Sequence, residues 1–198
     1  MQSIYEDHLP EMEATMQRFM ERIDACRHQM KERLGMDPVE HCLCRIKSEE
    51  SMREKCRRKG LPETCDSALK EIHDAIGIRV VCAFLDDVYT IRDNLAQWQD
   101  AKIVTEKDYI KNVKPNGYRS YHMILQADNG YYVEIQLRTI SMDTWAALEH
   151  HLKYKKQYKG NQELIVSELK RCANELASTD LSMQTLRDLI FEENEAGS

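Results

Sequence analysis

The sequence predicts a mixed α+β domain: a small, largely antiparallel central sheet flanked by helices, with helical extensions at both ends. Three features predict it. Met12, Met16, Phe19, Ile23, Cys26, Met30 and Leu34 step by three and four residues, the spacing of one helical stripe. Ile78–Phe84 is a β-branched, apolar run of strand length. Segments 120–126 and 131–138 alternate in polarity on either side of Asn129-Gly130, a hairpin signal.

In chain order, the first helix covers residues 11–34, with Pro10 suited to its start and Gly35 to its end. Its Met-rich stripe either packs on the domain or meets another subunit; the sequence leaves both open. Residues 38–45 read as a short extended link. Ser48 is a candidate N-cap for a charged helix over 49–59. A loop covers 60–66 and a second short helix 67–73. After the Ile78 strand, a helix starts at Asp86 or Asp87 and runs to Trp98. Lys102–Thr105 is a short strand and Tyr109–Asn112 a loop. In the second hairpin strand, Tyr131, Val133, Ile135 and Leu137 share one face, while Glu134, Gln136 and Arg138 share the other. The apolar face belongs to the core and the polar face looks into a cleft or water. Helices follow over 140–155, along Met142, Trp145, Leu148, Glu149 and Leu152, and over 162–177, along Ile165, Leu169, Cys172 and Leu176. Thr179 or Asp180 is read as the cap of a last helix on Met183, Leu186 and Ile190.

Hydrophobic residues make up 42% and charged residues 31% of the 198 positions, which fits one soluble domain. No apolar run approaches the ~18–20 residues of a membrane span. The first ten residues carry two acids and no Lys or Arg, so no signal peptide is expected and a cytoplasmic location is. Seven cysteines, closely spaced only at Cys42 and Cys44, point to reduced thiols rather than to a disulfide framework or a zinc site. A net charge of −6 argues against a general nucleic-acid coat. Yet residues 45–60 hold seven bases against three acids, and residues 111–122 hold three bases and no acid. A basic middle between acidic ends suggests a local anionic ligand.

Asp74 precedes the Ile78 strand and Glu134 lies on a polar strand face. Two such carboxylates can hold Mg2+, which takes hard oxygen ligands and few carboxylates. Glu134 can also accept a proton from an attacking hydroxyl. Taken singly, each acid reads more readily as a surface or capping residue. Phosphoryl chemistry needs positive charge over the transferring group. Arg45, Lys47, Lys55 and Arg79 can supply it from one side, and Lys114, Arg119 and His122 from another. Tyr118, beside Gly117, offers a ring for base stacking. No Walker A sequence or GxGxxG is present, so a nucleotide site here relies on side chains.

The motifs RIKSEES, IHDAIGIRVV, KDYIKNVKPNGYRSYH, EIQLRT and MDTWAALEHHLKYK occur in this order. Together they resemble the synthetase domain of the RelA/SpoT family, from about Arg45 to Lys155. Chain length and the C-terminal helices resemble its small alarmone synthetases. The resemblance implies a nucleotidyltransferase-like fold, with a central mixed sheet flanked by helices. It implies transfer of the β,γ-pyrophosphate of ATP to the 3′-hydroxyl of GTP or GDP, giving AMP and pppGpp or ppGpp in the stringent response. By motif position it implies ATP binding by Arg45, Lys47, Ser51, Lys55 and Arg79. Asp74 and Glu134 would hold Mg2+, with Glu134 activating the 3′-hydroxyl. Tyr118 would stack on guanine, and Lys114, Asn116, His122 and Gln136 would position the GTP or GDP acceptor, with Arg138 supporting the strand end. The chain then divides into an N-terminal helical extension (1–40), a synthetase domain (41–157) and C-terminal helices (158–198) suited to assembly as a homotetramer. Neither a membrane nor a nucleic acid is required, and control by RNA stays open.

Departures from the family pattern carry their own expectations. Asp74-Ala75-Ile76-Gly77-Ile78-Arg79 keeps the family's Asp and Arg but reorders the residues between them, which predicts a packing adjustment only. Thr144 stands where an aromatic is common and is expected to loosen the Trp145 helix. His41–Cys44 do not match the effector cleft of product-activated members, so that activation is not carried over. His73-Asp74 lacks the companion ligands of a hydrolase site, and synthesis without hydrolysis is expected. Two competing readings stand beside this one. A related toxin acting on adenosine nucleotides or tRNA 3′ ends would be expected to show a broader basic surface in the tRNA case. A non-catalytic nucleotide- or RNA-binding module would need neither acid.

Overall fold

The computed structural model describes residues 3–154 and 161–196. Helix α1 (Leu9–Leu34) has Pro10 in its first turn and ends at Gly35, whose φ of 69° is left-handed. Met12, Phe19, Ile23, Cys26 and Met30 are buried against the sheet, so this stripe serves the domain's own core. Strand β1 (Val39–Ile46) replaces the expected link. It is an edge strand with mostly exposed side chains, and so lacks the alternating pattern that marks a half-buried strand. Helix α2 (Glu49–Lys59) starts at Ser48, whose Oγ accepts from the Ser51 backbone N–H. A single π-type turn, Ser67–Glu71, leads to strand β2 (Ile76–Cys82). Helix α3 (Leu85–Ala96) is capped by Asp87, whose Oδ2 accepts from the Phe84 N–H at 3.1 Å.

Strands β3 (Ala101–Asp108), β4 (Tyr121–Ala127) and β5 (Tyr132–Thr139) complete a five-stranded sheet ordered β1-β2-β5-β4-β3. Only β2 and β5 run parallel; the other pairs are antiparallel. The β4–β5 turn passes through Gly130 at φ 92°, a conformation glycine adopts without a Cβ clash. On one face Ile76, Ile78, Val80, Met123, Leu125, Val133, Ile135 and Leu137 are buried beneath α1 and α3. Each such aliphatic side chain contributes about 1.5–3 kcal/mol when fully buried. The strand period of two sends Gly77, Arg79, His122, Glu134 and Gln136 to the opposite, open face.

Helix α4 (Ile140–Tyr154) buries Met142, Trp145 and Glu149, whereas Leu148 and Leu152 are exposed; its expected end at Lys155 lies outside the described residues. Trp145 Nε1 donates to the Leu169 carbonyl at 2.9 Å. Helix α5 (Gln162–Ala196) is continuous where two helices were expected. Asp180 is not a cap. It is buried in mid-helix, and its Oδ2 accepts from Thr139 Oγ1 at 2.5 Å. A carboxylate satisfied by another element does not compete for the helix backbone, so the helix runs through it. Met183, Leu186 and Ile190, the expected packing stripe, are exposed.

Candidate active site

The open face gathers its polar side chains by register. Arg45 on β1 pairs with Gly77 on β2, and Gly77 pairs with Glu134 on β5. One row along, Arg79 pairs with Gln136, which pairs with His122 on β4. All four strands in these rows carry residues of the sequence motifs, and Asp74 comes in from the loop before β2.

Two clefts open on this face. One, of about 310 Å³, is lined by Arg45, Lys47, Arg79 and Gln136. The other, of about 400 Å³, is lined by Lys55, Lys107, Tyr109, Lys114 and His122. Asp74 and Glu134 line both. Lys47 Nζ is 3.2 Å from Asp74 Oδ2, and Lys55 pairs with the same oxygen. Asp74 Oδ1 is buried and has no hydrogen-bond partner among the described residues. Glu134 Oε2 accepts from Gln136 Nε2 at 2.9 Å, and its Oε1 lies 3.6 Å from His122 Nδ1. Burial pushes the Glu134 carboxyl up, but the neighbouring His122, with the Gln136 hydrogen bond and the charge of Lys55, outweighs it and holds it at about 2.

Tyr118 and Arg138 face a third pocket, shared with Arg45, Arg79, Ala146 and Glu149. The Tyr118 hydroxyl contacts His122 Nε2 at 2.8 Å and accepts from Arg138 at 3.0 Å. Lys114 Nζ lies over the Tyr109 and Tyr118 rings, 4.3 and 4.9 Å from their centroids. Asn116 bridges the loop to α4: its Oδ1 accepts from the Tyr118 N–H and its Nδ2 donates to Glu149 Oε1, both at 3.2 Å.

Several residues sit differently from the sequence reading. Lys55, grouped with Arg45, opens to the Lys114 cleft because its turn of α2 reaches Asp74 from the other side. Gln136, grouped with Lys114, opens to the Arg45 cleft because the parallel register sets it opposite Arg79. Ser51 lies in the first turn of α2, where its hydroxyl accepts from Ser48 Oγ at 2.9 Å, and lines none of these clefts. Arg119 turns away from the open face and donates to Asn174 on α5. His73 stacks on Tyr132, centroids 3.8 Å apart. Two residues were not read as site residues, Glu149 having been placed only on the α4 stripe. Asp143 joins Arg138, at 2.9 Å, to Arg79, at 3.2 Å. Glu149 anchors Asn116. An acid in the first turn of a helix reads as a favourable dipole partner, which hides Asp143.

Residues 44–159 match the region found in RelA / SpoT proteins. The chain belongs to the RelA/SpoT family. Among its relatives, the GTP pyrophosphokinase YwaC of Bacillus subtilis is 45% identical over 128 residues, 61% of this chain and 61% of that protein. The GTP pyrophosphokinase YjbM of the same organism is 36% identical over 169 residues, 81% of this chain and 78% of that one. The fold of this RelA/SpoT chain is similar to the crystal structure of small alarmone synthetase 2 from Bacillus subtilis, with a TM-score of 0.78, 34% identity and coverage of 92% and 98% of the two chains. It is also similar to small alarmone synthetase 1 of that organism, solved with its product pppGpp (TM-score 0.76, 27% identity, 92% and 95% covered) and with AMPCPP (TM-score 0.72, 26% identity, 93% and 96% covered).

Proposed function

We infer that this chain is a (p)ppGpp synthetase that transfers the β,γ-pyrophosphate of ATP to the 3′-hydroxyl of GTP or GDP. The observation that carries the reading is the meeting of two basic clefts at Asp74 and Glu134. Two nucleotides held on either side of shared carboxylates are placed for in-line displacement, and such positioning supplies a large part of the acceleration. The relatives named as GTP pyrophosphokinases and the solved structures with pppGpp and AMPCPP support it.

In this reading ATP occupies the Arg45 cleft, where Arg45, Lys47 and Arg79 meet its base and phosphates. The acceptor reaches across the Lys114 cleft to the Tyr118 pocket, with guanine on the Tyr118 ring. Lys55 and His122 border the carboxylates from the acceptor side. Glu134, ionised in the free protein, accepts the hydrogen bond of the 3′-hydroxyl and stabilises the proton that leaves it. Mg2+ fits the residues present: the unpaired Asp74 Oδ1 and the ionised Glu134 supply two hard oxygens, and nucleotide phosphates would complete the shell. When bound, the ion would offset negative charge on the transferring group. Among the described residues no cluster of three or more His, Cys, Asp or Glu forms a metal cage, in keeping with a site completed by substrate.

The test is incubation with Mg2+, ATP and GDP or GTP, followed by chromatography. AMP and a 3′-pyrophosphorylated guanosine nucleotide are expected. Competition among GDP, ADP and tRNA checks the acceptor; preferential modification of ADP or tRNA would replace this reading with the toxin-like one. Assembly as a homotetramer through the terminal helices belongs to the same proposal, supported by exposed Leu181, Met183, Leu186 and Ile190 on α5. Light scattering that gives a monomer at working concentration rejects it. No described helix is long and apolar enough to cross a membrane, and seven free thiols suit a cytoplasmic setting.

A further inference from the structure

Helix α5 begins at Gln162, past the end of the matched family region at residue 159, yet it holds the loop that carries Tyr118. Gly117, at φ 94°, lies so close to α5 that a Cβ there would fall 2.7 Å from Ala173 Cβ and 3.0 Å from Lys170 Cα. Arg119 donates to Asn174 Oδ1 at 2.9 Å and to the Gly117 carbonyl at 3.0 Å. Trp145 donates to the Leu169 carbonyl at 2.9 Å, and its ring meets the Tyr118 ring edge-on, with centroids 6.3 Å apart. Tyr118 is therefore flanked on both sides in sequence, and braced at its ring, by contacts that end on one face of α5.

We propose that α5 is a positioning element for the acceptor nucleotide, with Asn174 and Ala173 setting the Tyr118 loop through Arg119 and Gly117. The proposal rests on the guanosine-acceptor reading above. A loop left unordered must be ordered by its ligand, and that entropy is subtracted from affinity. Holding residues 117 and 119 against a rigid helix removes that cost before binding. The donor side has other supports: Lys47 is paired with Asp74, and Arg79 with Asp143. Loosening α5 from the loop thus weakens the acceptor and leaves ATP untouched.

The experiment compares Asn174→Ala and Asn174→Asp with the parent, by steady-state kinetics and by GDP titration calorimetry. Loss of a hydrogen bond to a charged group is expected to raise the KM and Kd for GDP about tenfold in Asn174→Ala. The KM for ATP and kcat at saturating GDP stay within about twofold, the signature of lost ground-state binding. Asn174→Asp keeps an oxygen for Arg119 and restores GDP binding. If Asn174→Ala is not recovered folded, Arg119→Gln breaks the same contact from the loop side and must give the same split. Unchanged GDP affinity, an equal rise for ATP, or a fall in kcat alone overturns the proposal. A parent that neither binds GDP nor forms product sinks the synthetase reading instead.

Discussion

His122 Nδ1 lies 3.6 Å from Glu134 Oε1, on neighbouring antiparallel strands, and this pairing keeps the carboxylate ionised on the open face of the sheet. Replacing Glu134 by Gln preserves its shape and the Gln136 contact but removes the charge. Turnover is expected to fall at least about a hundredfold, the usual scale for a lost proton-accepting group. Single-turnover product formation checks this; a rate near that of the parent removes Glu134 from the chemistry.

The same pairing links stability to pH. Glu134 sits at about 2 in the fold, against 4.5 unperturbed. Because the folded value is depressed, the contribution is complete above the unfolded value and is lost as pH falls through about 2. Urea denaturation of parent and Glu134→Gln between about pH 2 and 6 is expected to show a stability gap in the parent's favour that narrows toward acid. A gap independent of pH contradicts the pairing.

Asp87 behaves in the opposite sense. Burial, with the charge of Asp86, pushes its carboxyl up to about 6 from 3.8, although the Phe84 N–H contact pulls the other way. With the folded value raised, stability falls as pH rises from the unfolded value through about 6. Asp87→Asn keeps an oxygen for Phe84 and is expected to stabilise the protein at pH 7 by up to about 2–3 kcal/mol, but not below about pH 4. Melting temperatures at both pH values decide it; equal shifts at the two would refute the burial account.

Asp143 holds two guanidinium groups, those of Arg79 and the buried Arg138. Asp143→Ala leaves Arg138 short of its charge partner and is expected to cost roughly 3 kcal/mol in denaturant unfolding. It also frees Arg79, so the KM for ATP should rise while the KM for GDP rises less. Asp143→Asn, which keeps an acceptor oxygen, should lose less on both counts. Equal effects of Ala and Asn would show that the acceptor oxygen adds nothing beyond the charge, and parent-like stability in Asp143→Ala would show that neither matters.

The hairpin strands were legible because Val133, Ile135 and Leu137 alternate with Glu134, Gln136 and Arg138, and only a half-buried strand satisfies that pattern. Strand β1 was not, since an edge strand with its side chains in solvent carries no such alternation. Asp180 misled because an acid between apolar residues reads as a helix cap, while its partner Thr139 lies on a distant strand.

By itself the sequence determined which face of the second hairpin strand is apolar, which family motifs are present and in what order, and the types of side chain available for phosphates, metal and base. Those follow from local periodicity and residue chemistry. Only the tertiary structure decided which of these residues share a cleft. The parallel pairing of β2 with β5 sets Gly77 against Glu134 and Arg79 against Gln136, and the reach of α2 sends Lys55 to the acceptor side. Arg119 meets Asn174 on α5, and Asp180 of α5 meets Thr139 on β5, for the same reason: these partners are chosen by helix packing, which leaves no trace in the neighbouring sequence.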